Sequence, residues 1–297
     1  MRIAFCLALF ALSGCTVGVA SKPEKTEIAS FISAKPVWLE GREKEKNLFV
    51  GFRATVDGKA AENAVVRMTG STICRLFVNG EFLGYGPARG PHGYDRVDVW
   101  PLKGRCKPGA NVIAIEVAGY NVNSYYHLDQ PAYLQAEVVA GATVLASTAG
   151  AGAAFEAQAL THRLQKVQRY SFQRTFSEVY SLHPGSDAWR TGGTFQSQKL
   201  AVRPQVPLLA RIAPYPDFHE LRPVREVFVG TTRNNPDKKV WGDRAIKGVG
   251  PDYAGYPESE LVSIPLYEVQ RLETATKTRV DKPVDAKGRF AFANGQF

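Results

Sequence analysis

The stretch Leu76–Trp100, LFVNGEFLGYGPARGPHGYDRVDVW, predicts a β-hairpin that is followed by a polar loop and a further strand. Its dipeptide Asn79-Gly80 is a strong hairpin signal, because both central residues of a type I′ turn need positive φ angles, which asparagine and glycine tolerate. The loop Gly86–Asp95 behind the hairpin combines glycine and proline with polar and aromatic side chains. This composition makes the loop a candidate for ligand binding.

The segments on both sides of this hairpin repeat the strand pattern about every ten residues, which is the spacing of a β-sandwich. The predicted strands are Asn47–Val56, Asn63–Ser71, Tyr94–Leu102, Lys107–Asn121 and a hairpin over Ala132–Thr148 that turns near Gly141. In the third of these strands Val97 and Val99 alternate with Arg96 and Asp98, which predicts one apolar face and one polar face. The sequence therefore predicts an all-β chain with a β-sandwich over residues 37–148.

The rest of the chain shows weaker patterns. Residues 149–204 contain a glycine-alanine link, an aromatic strand predicted over Tyr170–Tyr180, and the start of a proline-rich connector. Residues 205–297 predict a second β-rich region, whose last segment is a strand followed by the hairpin-like turn ANGQ. No partner strand follows that turn, so we expect this region to be incomplete.

The first residues indicate export. One basic residue precedes an apolar run that is too short to span a membrane, which is typical of a signal peptide. The sequence LSGC at Leu12–Cys15 is similar to a bacterial lipobox, so we expect residues 1–14 to be removed and Cys15 to carry lipid. The alternative is an ordinary signal peptide that is cut nearer Ala20. The polar residues 15–36 predict a tether, and the protein is expected at the outer membrane or cell surface, otherwise in the periplasm or secreted.

The charge of the chain does not indicate a nucleic-acid-binding protein. The net charge is +9, but the basic residues are dispersed and the densest groups also contain acids. Binding to nucleic acid would need a basic stripe together with a zinc pattern or an aromatic RNA-binding signature, and the sequence has none of these. Nucleic acid is therefore not an expected partner.

Two of the four cysteines, Cys74 and Cys106, lie within the predicted sandwich. In an exported protein such a pair can form a disulfide. The alternative is that both are small buried apolar side chains. The further ligands that a zinc site needs are lacking, so no metal ion or cofactor is expected.

The segments LFVNGEFLGYGP, YDRVDVWPL and KPGANVIAIEVAGYNVNSYY resemble the N-terminal β-sandwich of bacterial α-L-rhamnosidases, glycoside hydrolase family 78. The similarity covers most of residues 48–145, and VQRYSFQRTFSEVY and FANGQF resemble the same proteins more loosely. The resemblance implies a sandwich of the galactose-binding-like jelly-roll type, followed by a second β-rich region. In that family a large (α/α)6 barrel comes next and holds the catalytic carboxylates.

No catalytic residue is predicted in this chain. It contains no match to the catalytic motif of that family, and it is expected to end before a barrel could begin. Inverting glycoside hydrolysis needs two carboxyl groups about 6.5–9.5 Å apart, and the spacing of the acids indicates no such pair. The resemblance therefore implies the non-catalytic N-terminal part of an exported α-L-rhamnosidase-like protein, which recognises carbohydrate or supports a catalytic domain. The alternative is a stand-alone surface module for carbohydrate binding or assembly.

Two loops carry the candidate carbohydrate-binding residues. Sugars are held by aromatic faces together with amides, carboxylates and guanidinium groups, and both loops combine these groups. The candidates are Arg89, His92, Tyr94 and Asp95 in the first loop, and Tyr120, Asn121, Asn123, Tyr125, Tyr126, His127 and Asp129 in the second. Both loops flank strands of one sandwich, so they could meet at one end and bind a rhamnose-containing glycan. The alternative is that these side chains cap the sandwich or pack against another domain, with Arg89 paired to Asp95.

Overall fold

The computed structural model describes residues 29–169, 171–217, 223–240 and 254–284, and its strands confirm the predicted all-β fold. The first strands are β1 (Val37–Leu39), β2 (Leu48–Asp57), β3 (Val65–Gly70), β4 (Ile73–Val78), β5 (Glu81–Gly86), β6 (Asp95–Pro101) and β7 (Ala110–Gly119). The later strands are β8 (Leu134–Ala140), β9 (Thr143–Ser147), β10 (Ala153–Ala154), β11 (Glu156–Ala159), β12 (Leu200–Val202), β13 (Leu208–Ala210), β14 (Arg225–Asn234) and β15 (Leu272–Pro283). The helices are short, namely α1 (Gly58–Ala61), α2 (Leu266–Arg271) and the 3₁₀ turns Ala188–Thr191 and Glu258–Glu260.

Two packed sheets form the predicted sandwich. In the first sheet, of eight strands, β13, β6, β3, β8, β9 and β10 follow one another, while β1 pairs with β8 and β12. The second sheet has five strands in the order β11-β2-β7-β4-β5. Large apolar side chains from both sheets fill the space between them, among them Trp38, Phe52, Met68, Leu76 and Ile115. This core is the platform on which the loops at one end of the sandwich rest.

Strand β7 is the centre of the five-stranded sheet and is buried on both faces. Ile113 and Ile115 point into the core between the sheets, whereas Ala114 and Ala118 belong to a second apolar cluster on the outer face. Residues 160–195 cover that outer face. A strand buried on both sides is expected to be a near-continuous apolar run, as this one is.

The predicted hairpins are confirmed. β4 and β5 pair across Asn79 and Gly80, whose φ angles of 51° and 85° are those that a type I′ turn requires. The side chain of Asn79 also fixes the turn to β7, because its Oδ1 accepts the N–H of Val112 at 3.0 Å and its Nδ2 donates to Oδ1 of Asn111 at 2.8 Å. The hairpin over Ala132–Thr148 is present as β8 and β9.

The sandwich extends well beyond the predicted boundary at residue 148. β11 pairs with β2, β12 pairs with β1, and β13 pairs in parallel with β6. The predicted boundaries at residues 148 and 204 therefore both fall inside the sandwich. β12 and β13 are only three residues long, so they carry too little periodicity to be recognised, and their long-range partners define them.

The predicted aromatic strand is wrong, because residues 171–180 form only isolated β-bridges. The buried guanidinium group of Arg169 occupies carbonyl groups that a strand would pair with a neighbour. It donates to the carbonyl oxygens of Asn123 at 2.8 Å, Phe172 at 3.0 Å and Arg174 at 3.1 Å. Backbone carbonyls that a side chain satisfies do not need a strand ladder, so this segment is irregular.

Residues 29–36 of the predicted tether belong to the folded sandwich. The fully buried carboxylate of Glu137 on β8 accepts the backbone N–H groups of Ile32, Ser33 and Ala34 at 3.0, 3.1 and 3.3 Å. The tether is therefore shorter at its C-terminal end than predicted. Residues 1–28, with the predicted signal peptide and Cys15, lie outside the described residues, so lipidation stays a prediction. No helix in the described ranges is long and apolar enough to cross a membrane.

The predicted disulfide is wrong, because Cys74 and Cys106 are free thiols. Cys74 lies opposite Val117 on β7, whereas Cys106 sits in the turn before β7, where the N–H of Lys107 donates to Asn111. The strand between these two points spans roughly 20 Å, and a disulfide needs Cα atoms within about 7 Å. The alternative of a small buried apolar side chain fits Cys74, whose burial strongly raises the pKa of its thiol.

The second β-rich region contains a separate two-stranded sheet. β14 has ten residues and β15 has twelve, and the two strands pair antiparallel. Most of their side chains are exposed. Ion pairs such as Arg233–Glu273, at 2.7 Å, and Arg225–Asp281, at 3.0 Å, link the two strands. The terminal segment with the ANGQ turn lies outside the described residues.

A buried ion cluster fastens residues 160–195 to the outer face of the five-stranded sheet. Glu116 on β7, only 2% exposed, receives Arg75 at 2.7 Å, Arg190 at 2.8 Å and Arg163 at 3.9 Å. Burial alone would raise the pKa of the Glu116 carboxyl, yet the charges of the arginines hold its pKa below the ordinary value. The cluster therefore contributes stability while Glu116 is ionised.

We predict that Glu116→Gln lowers the free energy of unfolding by about 3 kcal/mol at pH 7, because three cations lose their buried counter-charge. A lowered folded pKa means that this contribution is complete above the ordinary pKa of glutamate, about 4.3, and disappears as the pH falls through the folded pKa. Urea unfolding should therefore show a difference between wild type and variant that shrinks below about pH 4. The exposed Glu81→Gln on the same sheet is the control, with a change within about 0.5 kcal/mol. Equal stability of wild type and Glu116→Gln at pH 7 would contradict this account.

Candidate functional site

The two predicted loops meet at one end of the sandwich and line a common cleft of about 760 Å³. Residues 70–73 and the irregular segments around Arg174 and Arg211 complete its wall. Seven of the eleven candidate residues line this cleft, namely Arg89, His92, Tyr94, Asp95, Tyr125, Tyr126 and His127. A concave space of this size is typical of small-molecule sites.

Close backbone packing shapes the first loop, Gly86–Asp95. A side chain at Gly90 would collide with the carbonyl group of Tyr94, so the loop can fold back on itself only with glycine there. The guanidinium group of Arg96 ties the loop to β13, since it donates to the carbonyl oxygens of Arg89 at 2.9 Å and Ala210 at 2.7 Å. The candidate side chains of this loop are therefore held on a fixed backbone.

Asp98 on β6 lies beneath this loop and is fully buried. One of its carboxylate oxygens accepts the N–H of Ala88 at 3.3 Å, and the other pairs with Nη1 of Arg211 at 2.9 Å. Burial raises the pKa of the Asp98 carboxyl, and the N–H of Ala88 and the Arg211 charge oppose that rise. The predicted alternation of β6 is therefore wrong at these positions, because Asp98 points inward and Val99 is exposed.

Gly86 is required for this arrangement. A side chain at this position would collide with the carboxylate of Asp98, so only glycine lets the loop approach β6 closely enough. Arg211 also donates to the carbonyl oxygen of Pro214 at 3.0 Å and lies 4.1 Å from the ring centre of Tyr215. Asp98 thereby joins the first loop to the segment after β13.

Asp95 occupies the edge of the cleft with its carboxylate already engaged. It accepts a hydrogen bond from the hydroxyl group of Tyr133. Burial raises the pKa of the Asp95 carboxyl, and the hydrogen bond from Tyr133 partly offsets this effect. The alternative pairing of Asp95 with Arg89 is not present, because Arg89 lies over the ring of Tyr126.

The second loop is folded around Ser124, whose hydroxyl oxygen accepts the N–H groups of Tyr126 and His127, both at 3.0 Å. Burial and the nearby charge of Arg89 lower the pKa of His127 to about 4. The imidazole is therefore neutral at pH 7 and can donate one hydrogen bond and accept another. A neutral, partly buried histidine suits the orientation of a hydroxylated ligand.

Tyr126 joins the two sides of the cleft. The guanidinium carbon of Arg89 lies 4.7 Å from its ring centre, and that of Arg174 lies 5.0 Å from it. Both distances are within the range of cation–π attraction. One tyrosine ring therefore holds an arginine from the first loop and an arginine from the irregular segment 171–180.

Four candidates lie outside the cleft, and the side chains of three of them have local structural roles. Tyr120 is buried against Phe49, and the amide of Asn121 donates to the carbonyl oxygens of Glu43 and Glu45 at 2.8 and 2.9 Å. The side-chain oxygen of Asn123 accepts the N–H of Asp129 at 2.9 Å. For Tyr120, Asn121 and Asn123 the structure therefore favours the capping alternative, whereas Asp129 is exposed outside the cleft.

The exposed groups of the cleft are of types that can contact a small polar molecule. Tyr125 and Tyr94 are 64% and 46% exposed and offer aromatic surface, while Arg89, Arg174 and His92 offer hydrogen-bond donors. The described ranges contain no group of three His, Cys, Asp or Glu side chains that could hold a metal ion. An aromatic surface rimmed by fixed donors can orient a hydroxylated ring.

Sequence reasoning did not identify Arg174, Arg211 or Asp98 as parts of this site. Arg174 lies in a segment predicted as a strand, and Arg211 lies in a proline-rich connector. Neither has a local motif, because each reaches the cleft only through contacts with residues far away along the chain. Asp98 gave no signal either, because its alternation with Val97 and Val99 placed it on the predicted polar face.

Comparison with known proteins supports the predicted fold. No protein-family model matches the chain, and a search of curated proteins finds no match. The chain is similar to the structure of a family 78 rhamnosidase of Bacillus sp. GL1, with a TM-score of 0.57 and 22% identity over 67% of this chain and 22% of that one. It is also similar to α-L-rhamnosidases of Aspergillus terreus (TM-score 0.44, 15% identity, 68% of this chain, 26% of that chain) and Streptomyces avermitilis (0.37, 15%, 74% and 19%). The similarity to the Bacillus rhamnosidase confirms the resemblance for the fold. The chain spans about a quarter or less of the length of these enzymes.

We predict that Asp98→Asn, an isosteric change, destabilises the protein by about 3–5 kcal/mol, because it leaves the buried cation of Arg211 without its counter-charge. Combining it with Arg211→Met should restore part of the loss, since no uncompensated charge then remains. Both effects are measurable as a double-mutant cycle in urea unfolding. The exposed Asp129→Asn is the matched control, with a change within about 0.5 kcal/mol. Additive effects of Asp98→Asn and Arg211→Met would contradict the proposed coupling.

Proposed function

We propose that this protein is a carbohydrate-recognition module, and that the cleft between the two loops is its saccharide-binding site. The observation that carries the proposal is the convergence of seven predicted residues from two separate loops on one cleft of about 760 Å³. The volume is large enough for more than one sugar ring, since small-molecule sites occupy about 300–1,000 Å³.

The chemistry of the cleft supports this proposal. Sugar rings present a C–H face that packs on aromatic surface and a rim of hydroxyl groups that need donors and acceptors. Tyr125 and Tyr94 supply exposed rings, and Arg89 and His92 supply polar groups on the same rim. Since the backbone of both loops is held by internal hydrogen bonds, the site loses little conformational freedom on binding.

We further propose that the chain acts as a non-catalytic part of an exported α-L-rhamnosidase-like protein, with a rhamnose-containing glycan as ligand. The fold similarity to the Bacillus rhamnosidase supports this proposal, and the chain corresponds to 22% of that enzyme. Cleavage of rhamnose would then belong to a catalytic domain outside this chain. Export and attachment through lipid on Cys15 are part of the same proposal.

A scaffold function is the second candidate, and one observation favours it. The two-stranded sheet of β14 and β15 exposes large apolar side chains, including Val227, Phe228 and Leu272. An isolated two-stranded sheet is only marginally stable in water. Such a sheet suits contact with a further domain, and this function is compatible with sugar binding at the other site.

We predict that the purified protein binds rhamnose-terminated oligosaccharides, and that Tyr125→Ala and Tyr94→Ala each weaken binding roughly tenfold, equivalent to about 1.4 kcal/mol. The expected cause is the loss of apolar contact with the sugar face. Isothermal titration calorimetry with a panel of rhamnosides and rhamnose-free controls measures this effect.

Tyr180→Ala is the matched control, because Tyr180 is 38% exposed and does not line the cleft. It should leave the dissociation constant unchanged. If wild-type protein binds no oligosaccharide of the panel, or if Tyr180→Ala weakens binding as much as the cleft variants, the proposed site is refuted.

A further inference from the structure

The two arginines on Tyr126 have no acidic partner among the described residues. Arg89 and Arg174 are both exposed and lie 4.7 and 5.0 Å from the centre of the same ring. Their guanidinium carbons therefore cannot be farther apart than the sum of these two distances. Both cations also line the cleft, so an anion bound there is attracted by both charges.

The two acids in and beneath the wall of the cleft have other partners. Asp95 accepts a hydrogen bond from Tyr133, and Asp98 is fully buried in its ion pair with Arg211. Among the described residues that line the cleft, Asp95 is the one acid and Arg89, Arg174 and Arg211 are the arginines, so the net charge is positive even when the buried Asp98 is included. Burial is the main cause of the low pKa of His127, and the charge of Arg89 lowers it further, so Arg89 acts on groups inside the cleft.

A carboxylate is the anion that this geometry suits. Guanidinium groups bind carboxylates through paired, charge-assisted N–H···O bonds, and a carboxylate has two oxygens that can each accept from one arginine. A uronic acid carries such a group on a sugar ring, next to the hydroxyl groups and the C–H face that the tyrosines suit. The same side chains can therefore bind the ring and its charge together.

We propose that the Arg89–Arg174 pair makes the cleft select acidic saccharides, in which a uronic acid accompanies rhamnose, over neutral ones. This inference rests on the proposed saccharide site and specifies its ligand. Tyr126 acts as the positioning residue that holds both cations toward the ligand.

Calorimetry with two matched disaccharides tests the proposal. The first is L-rhamnosyl-D-glucuronic acid, and the second is its carboxyl-reduced counterpart, L-rhamnosyl-D-glucose, which differs only in the charged group. We expect the acidic disaccharide to bind roughly tenfold or more tightly, and this preference should shrink when the salt concentration rises, because exposed charges are screened.

The variants Arg89→Gln and Arg174→Gln should each lower the affinity for the acidic disaccharide more than that for the neutral one, so the ratio of the two affinities falls, because only the acidic ligand makes the charged contact. Lysine at either position should retain part of the preference, because the charge remains. Arg105→Gln is the matched control, as Arg105 is exposed and lies outside the cleft. Both target side chains are exposed, so thermal melting should show folded variants.

The outcomes separate this inference from the proposed function. Equal affinity for the two disaccharides in the wild type overturns the acidic preference and leaves the saccharide site standing. A preference that survives in Arg89→Gln and Arg174→Gln overturns the role of the arginine pair. Binding of neither disaccharide counts against the inference, and if the wider rhamnoside panel also fails, the saccharide site is refuted with it.

Discussion

The buried ion pair between Asp98 and Arg211 is the constraint on which the cleft depends. One carboxylate oxygen of Asp98, on β6, lies 2.9 Å from Nη1 of Arg211 in the segment that follows β13. The other oxygen accepts the N–H of Ala88 and so holds the first loop. Removal of water from two charges costs several kcal/mol per ion, so the pair is tolerated only because each partner is also hydrogen-bonded. Gly86 permits the approach, since any side chain there would occupy the space of the carboxylate. The loop geometry thus depends on one buried acid of β6.

Much of the sandwich could be predicted from the sequence because local signals and tertiary demands agree there. Asn79-Gly80 has the positive φ angles that its sequence predicts, and the apolar run of β7 is buried on both faces. The failures have physical causes. β12 and β13 are defined by partners far away along the chain, and Arg169 replaces the strand predicted around it by binding carbonyl groups with its side chain. Cys74 and Cys106 both belong to the sandwich, but they lie near opposite ends of β7. A shared domain therefore does not predict a disulfide.

The rim of the candidate site was predictable from the sequence, whereas its wall was not. Loop composition identified the rim, because aromatic and polar residues crowd into two loops that flank strands of one sandwich. The wall of the cleft came from Arg174 and Arg211, which lie in segments without a motif and reach the site through long-range packing. Asn121 and Asn123 had the same composition signal as the rim residues, yet their side chains satisfy neighbouring backbone groups. Composition therefore indicates where a site can be, and only the hydrogen-bond partners separate ligand-facing groups from structural ones.

The measurement that tests the central claim most directly is hydrogen–deuterium exchange of the full chain with and without a rhamnose-containing oligosaccharide, because it reports both binding and its position. Our account predicts slower amide exchange in Gly86–Asp95, in Ser124–Gln130 and around Arg174 when the ligand is present, with β14 and β15 unchanged. Unchanged exchange in all three cleft segments at a ligand concentration that saturates binding, or protection confined to β14 and β15, would contradict it.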